Sequence, residues 1–367
     1  MKKWTAGHRA AMVSPFDALS YSGTREFRDQ TVRQIVHLHR GGERLRLRLS
    51  NQFGTRPLRL GAARAGLHLG KGSVGEDTAV TFDGSPGVVV PAGGAVLTDA
   101  FELAVPDDAE LAVSLYVDGP SGPCTGHPDA LQTSYVTDGD TTADRDLDAP
   151  GKIFNLNWVG GVDLFRDPGA EPVVVAFGDS LTDGSGTAPN ANLRYPDHLS
   201  RRLGTAVLNL GIGGNRLLRD GFGQAGLRRF RRDALSVPGL THVIIELGIN
   251  DLGLPAMFHQ PKHSAAEIVE GLLSLAAQAT EAGAAPILAT LPPYRDVTHP
   301  GYFSAKAVPV HTEVNERLRA CGLPLLDLAE VLSDPDDPGA FAPAYDQGDH
   351  LHPNGAGTAA MAAAVPL

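Results

Sequence analysis

The hydrophobic pattern of this chain changes period near residue 165, and that change constrains the fold more than any other feature. Before it the pattern alternates: Leu45, Leu47 and Leu49 interleave with Arg44, Arg46 and Arg48. Successive side chains of a strand point to opposite faces, so this run predicts a strand with one buried face. Similar short runs cover residues 58–69, 78–82, 87–90, 111–117 and 153–159. Turn-forming clusters such as Asp83-Gly84-Ser85-Pro86 and Asp118-Gly119-Pro120 separate them. No long amphipathic helix interrupts the pattern. Residues 1–165 are therefore expected to form an all-β domain, a β-sandwich or jelly roll.

Residues 166–172, Arg-Asp-Pro-Gly-Ala-Glu-Pro, read as a linker. Beyond it, residues 173–177 form a continuous apolar run of the kind buried on both faces of a parallel sheet. Residues 207–210, 243–247, 287–291 and 325–328 are its expected partners. Helical patterns lie between them over 195–203, 264–282 and 305–321, with a last helix over 355–364. Ser264 and Glu267 fit a capping box at the start of the second of these. The alternation predicts a three-layer α/β domain over residues 173–367. In such domains ligands bind beyond the carboxyl ends of the strands.

The chemistry-bearing residues lie after those strand candidates. Gly178-Asp179-Ser180-Leu181 follows the first, which places Ser180 where a helix would start and backbone N–H groups point outward. Gly211-Ile212-Gly213-Gly214-Asn215 follows the second, and small residues there let a backbone N–H approach a substrate oxygen. Its glycine spacing is not that of a dinucleotide fingerprint. Gly248-Ile249-Asn250-Asp251 follows the third, where an Asn amide can donate to a developing oxyanion. Asp349-His350-Leu351-His352 lies near the end; an Asp three residues before a His can bond Nδ1–H and leave Nε2 free as a base. Taken singly, these segments also read as a helix cap, a glycine turn, an Asx turn and a polar loop, and His350 competes with His352 as the base. Together they supply a nucleophile, oxyanion donors, an orienting acid and a base, as acyl transfer requires.

These four blocks, spread over about residues 173–365, resemble the GDSL or SGNH hydrolases. The resemblance implies a flavodoxin-like α/β/α fold and ester hydrolysis without metal or organic cofactor. Carried over residue by residue, it implies Ser180 as nucleophile, with Asp349 and His352 completing the triad. It implies an oxyanion hole from the N–H groups of Ser180 and Gly214 and the side chain of Asn250. The N-terminal β half is an addition to the minimal fold, similar to that of larger members carrying a jelly roll, through stretches such as Arg46-Leu47-Arg48-Leu49-Ser50-Asn51. The same triad also serves an acyltransferase or transesterase, in which a bound alcohol replaces water.

Charge narrows the partners. With 31 basic and 42 acidic residues the chain carries −11, a poor match for phosphate backbones, so nucleic acid is not an expected partner. A small-molecule or glycan ester is. The two cysteines, Cys124 and Cys321, exclude a disulfide framework and a cysteine-based zinc site. Met1-Lys2-Lys3-Trp4-Thr5-Ala6-Gly7-His8-Arg9 is not followed by an apolar run, so neither a signal peptide nor a membrane span is expected and the chain as written reads as cytoplasmic. A trimmed secreted form would read the same. Residues 254–263 and 292–303 are expected as loops beside the site. The Arg228-Arg229-Phe230-Arg231-Arg232 cluster is expected on a solvated helix face, and Glu246 as a residue paired inside its domain.

Overall fold

In the computed structural model, which describes residues 1–19, 25–167, 169 and 171–367, the chain divides into two compact units, Met1–Glu171 and Pro172–Leu367. The linker expected over 166–172 includes Pro168 and Ala170, which lie outside the described residues.

The first unit is built from antiparallel sheets. One has the order Lys3–Arg9, Val159–Arg166, Gly42–Ser50, Ala95–Leu97, with Phe101–Val105 also on Gly42–Ser50. A larger one runs Gly151–Ile153, Ser134–Asp138, Arg28–Leu38, Ala109–Pro120, Leu58–Gly70, Ser73–Ala79, with Val88–Val90 also on Leu58–Gly70, and Gly126–His127 pairs with Leu156–Asn157 in a third, two-stranded sheet. One apolar cluster joins them: Leu45, Leu47, Leu49, Val162 and Leu164 from the first sheet, Val32, Val36, Leu111, Val113 and Leu115 from the second. Each such side chain contributes about 1.5–3 kcal/mol by leaving water. The arginines alternating with Leu45, Leu47 and Leu49 serve the opposite face. Arg46 and Arg48 bond the buried carboxylate of Asp163 on the neighbouring strand at 2.9 and 3.2 Å, and the buried Arg9 pairs with it too.

The long strand Arg28–Leu38 is not expected from the sequence, because residues 31–38 are buried on both faces and no alternation shows. Polar side chains sit inside it: Arg33 is wholly buried and donates to Ser114 Oγ at 2.8 Å and to the carbonyls of Gly72 and Asp144 at 2.6 Å each. The single strand expected over 153–159 is also corrected. It is three pieces, Gly151–Ile153, Leu156–Asn157 and Val159–Arg166; the second break falls at Trp158, which takes a left-handed φ of 60° with its ring packed against Phe27.

The second unit alternates as its sequence predicts. Its elements are β1 (Val174–Gly178), α1 (Ser180–Asp183), α2 (Tyr195–Leu203), β2 (Val207–Gly211), α3 (Gly226–Asp233), β3 (His242–Glu246), α4 (Ile249–Met257), α5 (Ala265–Glu281), β4 (Ala285–Ala289), α6 (Val308–Arg319), β5 (Leu325–Leu326), α7 (Leu328–Val331) and α8 (Gly355–Ala364). The sheet is parallel throughout, in the order β2-β1-β3-β4-β5. Val174 and Ala176 of β1 pack on one face with Leu199 of α2 and Met361 of α8. Phe177 faces the other side, edge-on to Phe230 of α3 at 4.9 Å, where α5 also packs on β3 and β4. Ser264 and Glu267 close the capping box on α5. The unit is thus three layers, helices on both faces of a flavodoxin-like sheet. The connection from β1 runs to β2 on one side, and the chain then crosses to β3 on the other. That reversal opens a crevice at the carboxyl ends of β1 and β3.

Candidate active site

The crevice is where the four sequence blocks meet. β1 ends at Gly178, whose absent side chain leaves room for Thr182 Oγ1 and β3; a Cβ there would lie 2.0 Å from that hydroxyl and 2.7 Å from Glu246 O. Asp179 caps α1, its carboxylate accepting from Leu181 N at 3.1 Å. Ser180 is the first residue of that single turn and is 6% exposed. Its Oγ lies 2.8 Å from His352 Nε2, and His352 Nδ1 lies 2.6 Å from Asp349 Oδ2. The second carboxylate oxygen of Asp349 accepts the backbone N–H groups of Leu351 and His352 at 3.0 and 2.8 Å. Burial alone would raise the Asp349 pKa. The His352 hydrogen bond, its charge and the two backbone donors outweigh that and hold the carboxyl well below the usual carboxylate range. His350 has a different partner, Asp346 Oδ2 at 2.5 Å from its Nδ1.

Two backbone N–H groups, of Ser180 and Gly214, have no hydrogen-bond partner among the described residues. Gly214 takes a left-handed φ of 71°, and a Cβ would strike the Phe222 ring at 2.6 Å, so the loop can pass here only as glycine. Its neighbours are anchored. Gly213 N donates to Asp183 Oδ2 at 2.9 Å, and Asp251 accepts from Leu217 N and Leu218 N at 2.7 and 3.0 Å. Asn250 is differently engaged. Its Nδ2 donates to Asp179 Oδ2 and to Asn215 O, both at 3.1 Å, and its Oδ1 accepts from Tyr302 Oη at 2.9 Å.

Beneath the nucleophile lies a second carboxyl. Glu246, at the end of β3, is buried and accepts from Thr182 Oγ1 at 2.9 Å and from Asp179 N at 3.4 Å. Burial raises the Asp179 carboxyl to about 7 and pushes Glu246 well above the usual carboxylate range, the nearby Asp179 charge adding to its shift. Arg229 corrects the solvated-face expectation. Arg228 and Arg231 are exposed, but Arg229 turns inward over the Phe177 ring and donates to Gly178 O at 2.8 Å, Leu210 O at 2.9 Å and Asn215 Oδ1 at 3.0 Å. It ties the ends of β1 and β2 to the loop carrying Gly214. In α3 the apolar neighbour Phe230 shares its burial; that was the available signal.

The 254–263 loop expectation is corrected as well: α4 continues to Met257 through Pro255. The 292–303 segment does approach the site. Thr298 N donates to Asp349 O at 3.1 Å, and His299 Nε2 lies 3.6 Å from Asp349 Oδ2. His299, Asp349 and His352 therefore group three side chains of metal-ligating type. Two of them already use their nitrogen and oxygen on each other.

The chain is similar to several solved structures. A carbohydrate acetylesterase from Sinorhizobium meliloti is 21% identical, with a TM-score of 0.42, over 53% of this chain and 96% of that one. The aryl esterase of M. smegmatis is 21% identical, with a TM-score of 0.43, over 53% and 95%. A GDSL-like lipase from Bacteroides thetaiotaomicron is 21% identical, with a TM-score of 0.42, over 53% and 86%. No curated protein sequence matches the chain. The family model of the GDSL-like lipases and acylhydrolases matches residues 176–360, just over half of the chain, and the protein belongs to that family of hydrolases acting on ester bonds.

Proposed function

We propose that the protein is a serine esterase that cleaves small-molecule carboxylic esters through an acyl-enzyme on Ser180. The observation that carries this reading is the unbroken chain from Ser180 Oγ to His352 Nε2 at 2.8 Å and from His352 Nδ1 to Asp349 at 2.6 Å. In this reading Oγ attacks the ester carbonyl while Nε2 takes its proton. Asp349, held ionised, stabilises the imidazolium without taking a proton itself. The oxyanion receives the free N–H groups of Ser180 and Gly214. Asn250 adds a third donor by sharing one amide hydrogen between Asn215 O and the oxyanion, a three-centre arrangement common in proteins. His352 then protonates the leaving alcohol, and water, activated by the same imidazole, releases the acid.

The test is turnover of p-nitrophenyl acetate by three variants. Ser180→Ala and His352→Ala should each lose activity by several orders of magnitude. His350→Ala should stay near wild type, because its imidazole is tied to Asp346. A His350→Ala loss exceeding that of His352→Ala would reassign the base. A panel of esters from acetate to palmitate, with acetylated sugars, would then define the acyl and alcohol ranges.

A further inference from the structure

We infer that Tyr302 is a positioning residue of the oxyanion site, acting through the Asn250 amide. The inference rests on Asn250 being an oxyanion donor. Tyr302 lies outside the four sequence blocks, in the segment between β4 and α6. A tight turn delivers it: Tyr302 N donates to His299 O at 3.1 Å, with Pro300 and Gly301 (φ 79°) at the corner. The ring is 3% exposed and lies directly on the backbone of α4 at Gly253. A Cβ at 253 would sit 2.2 to 2.4 Å from three of its ring carbons. Gly253 is three residues after Asn250, hence on the same face of the helix. The gap left by one residue therefore seats the ring so that its hydroxyl meets the side chain one turn earlier, at 2.9 Å from Asn250 Oδ1.

Two consequences follow from the chemistry of an amide. The terminal torsion of Asn is soft, and a bond on the oxygen side, added to the two on the nitrogen side, holds the amide plane in one orientation. A donor at the amide oxygen also draws electron density from nitrogen, so its N–H groups become stronger donors as charge develops on the substrate. The bond to the oxyanion that both effects support strengthens as charge develops, so losing them weighs on the transition state more than on the bound substrate. The same turn places His299 beside Asp349, so one short segment touches the acid of the relay and the donor of the oxyanion site.

The experiment is a double-mutant cycle of Tyr302→Phe with Asn250→Ala, reading kcat and KM on p-nitrophenyl acetate. Tyr302→Phe keeps the ring that fills the space over Gly253 and removes only the hydroxyl. The expected result is a loss of about ten-fold in kcat with KM unchanged, and no further loss when Asn250 is already Ala. Gly253→Ala, in other respects a favourable helix substitution, should lower kcat by displacing the ring, again only while Asn250 is present. A kcat for Tyr302→Phe within about twofold of wild type would overturn the proposal. So would an equal loss in the Asn250→Ala background, because the hydroxyl would then act elsewhere. If Asn250→Ala itself keeps wild-type kcat, the oxyanion role of Asn250 fails and the proposal falls with it.

Discussion

At Ser180 the neighbours decide what the hydroxyl can do. A serine opening a helical turn is ordinarily a capping residue, but here Asp179 does the capping and leaves Oγ for His352. The carboxyls below it set a condition on pH. Asp179 and Glu246 are both buried and both titrate higher folded than unfolded, burial being the leading cause for each. A carboxyl raised in this way binds more protons in the folded state. Its contribution to stability is fully present below the unfolded value, about 4, and is lost as pH rises through about 7. Asp349, held low, works in the opposite sense and loses its contribution as pH falls below the usual carboxylate range. Glu246→Gln should therefore flatten the decline in unfolding free energy as pH rises from about 4 through about 7, followed by urea titration. An unchanged slope would mean that the Glu246 carboxyl does not titrate higher in the folded state than in the unfolded one. The sequence shows Glu246 only as an acid inside an apolar strand. Its partnership depends on β1 and β3 being adjacent, which no local pattern states.

At the scale of elements, legibility followed burial geometry. The parallel strands read as apolar runs because both faces are covered, and the helices read from their 3.6-residue period and caps, as Ser264 and Glu267 show. In the β unit the Gly42–Ser50 strand was legible because leucines line one face. Arg28–Leu38 was not, because a doubly buried strand carrying Arg33, Gln34 and His37 has neither alternation nor an apolar run. The arginine face of Gly42–Ser50 has an energetic role of its own. Asp163 is fully buried, and its partners are Arg9, Arg46 and Arg48. Replacing Asp163 by Ala removes the shared anion and leaves Arg9 unpaired in a buried site. Such a change costs roughly 3–5 kcal/mol. The β unit of Asp163→Ala should unfold at markedly lower urea than wild type; a midpoint unchanged from wild type would show that solvent compensates the arginines.

At the scale of the molecule, the change in period near residue 165 marked two kinds of folding unit, and the reversal of strand order about β1 in the second placed the site. No helix among the described residues is long and apolar enough to cross a membrane. Three of the four blocks were readable because each sits immediately after a strand, and the fourth because Asp349 stands three residues before His352 in the last loop. Tyr302, His299 and Arg229 were not singled out for these contacts, since they reach the site from a loop turn and from the inner face of a charged helix. The acyl-enzyme on Ser180 is directly measurable. Wild-type protein is mixed with p-nitrophenyl acetate, quenched in acid within the first turnovers, digested and mapped by mass spectrometry. An acetyl group should appear on Ser180, absent from Ser180→Ala, which should also fail to release p-nitrophenol. An acetyl group on another residue, or undiminished p-nitrophenol release by Ser180→Ala, would contradict it.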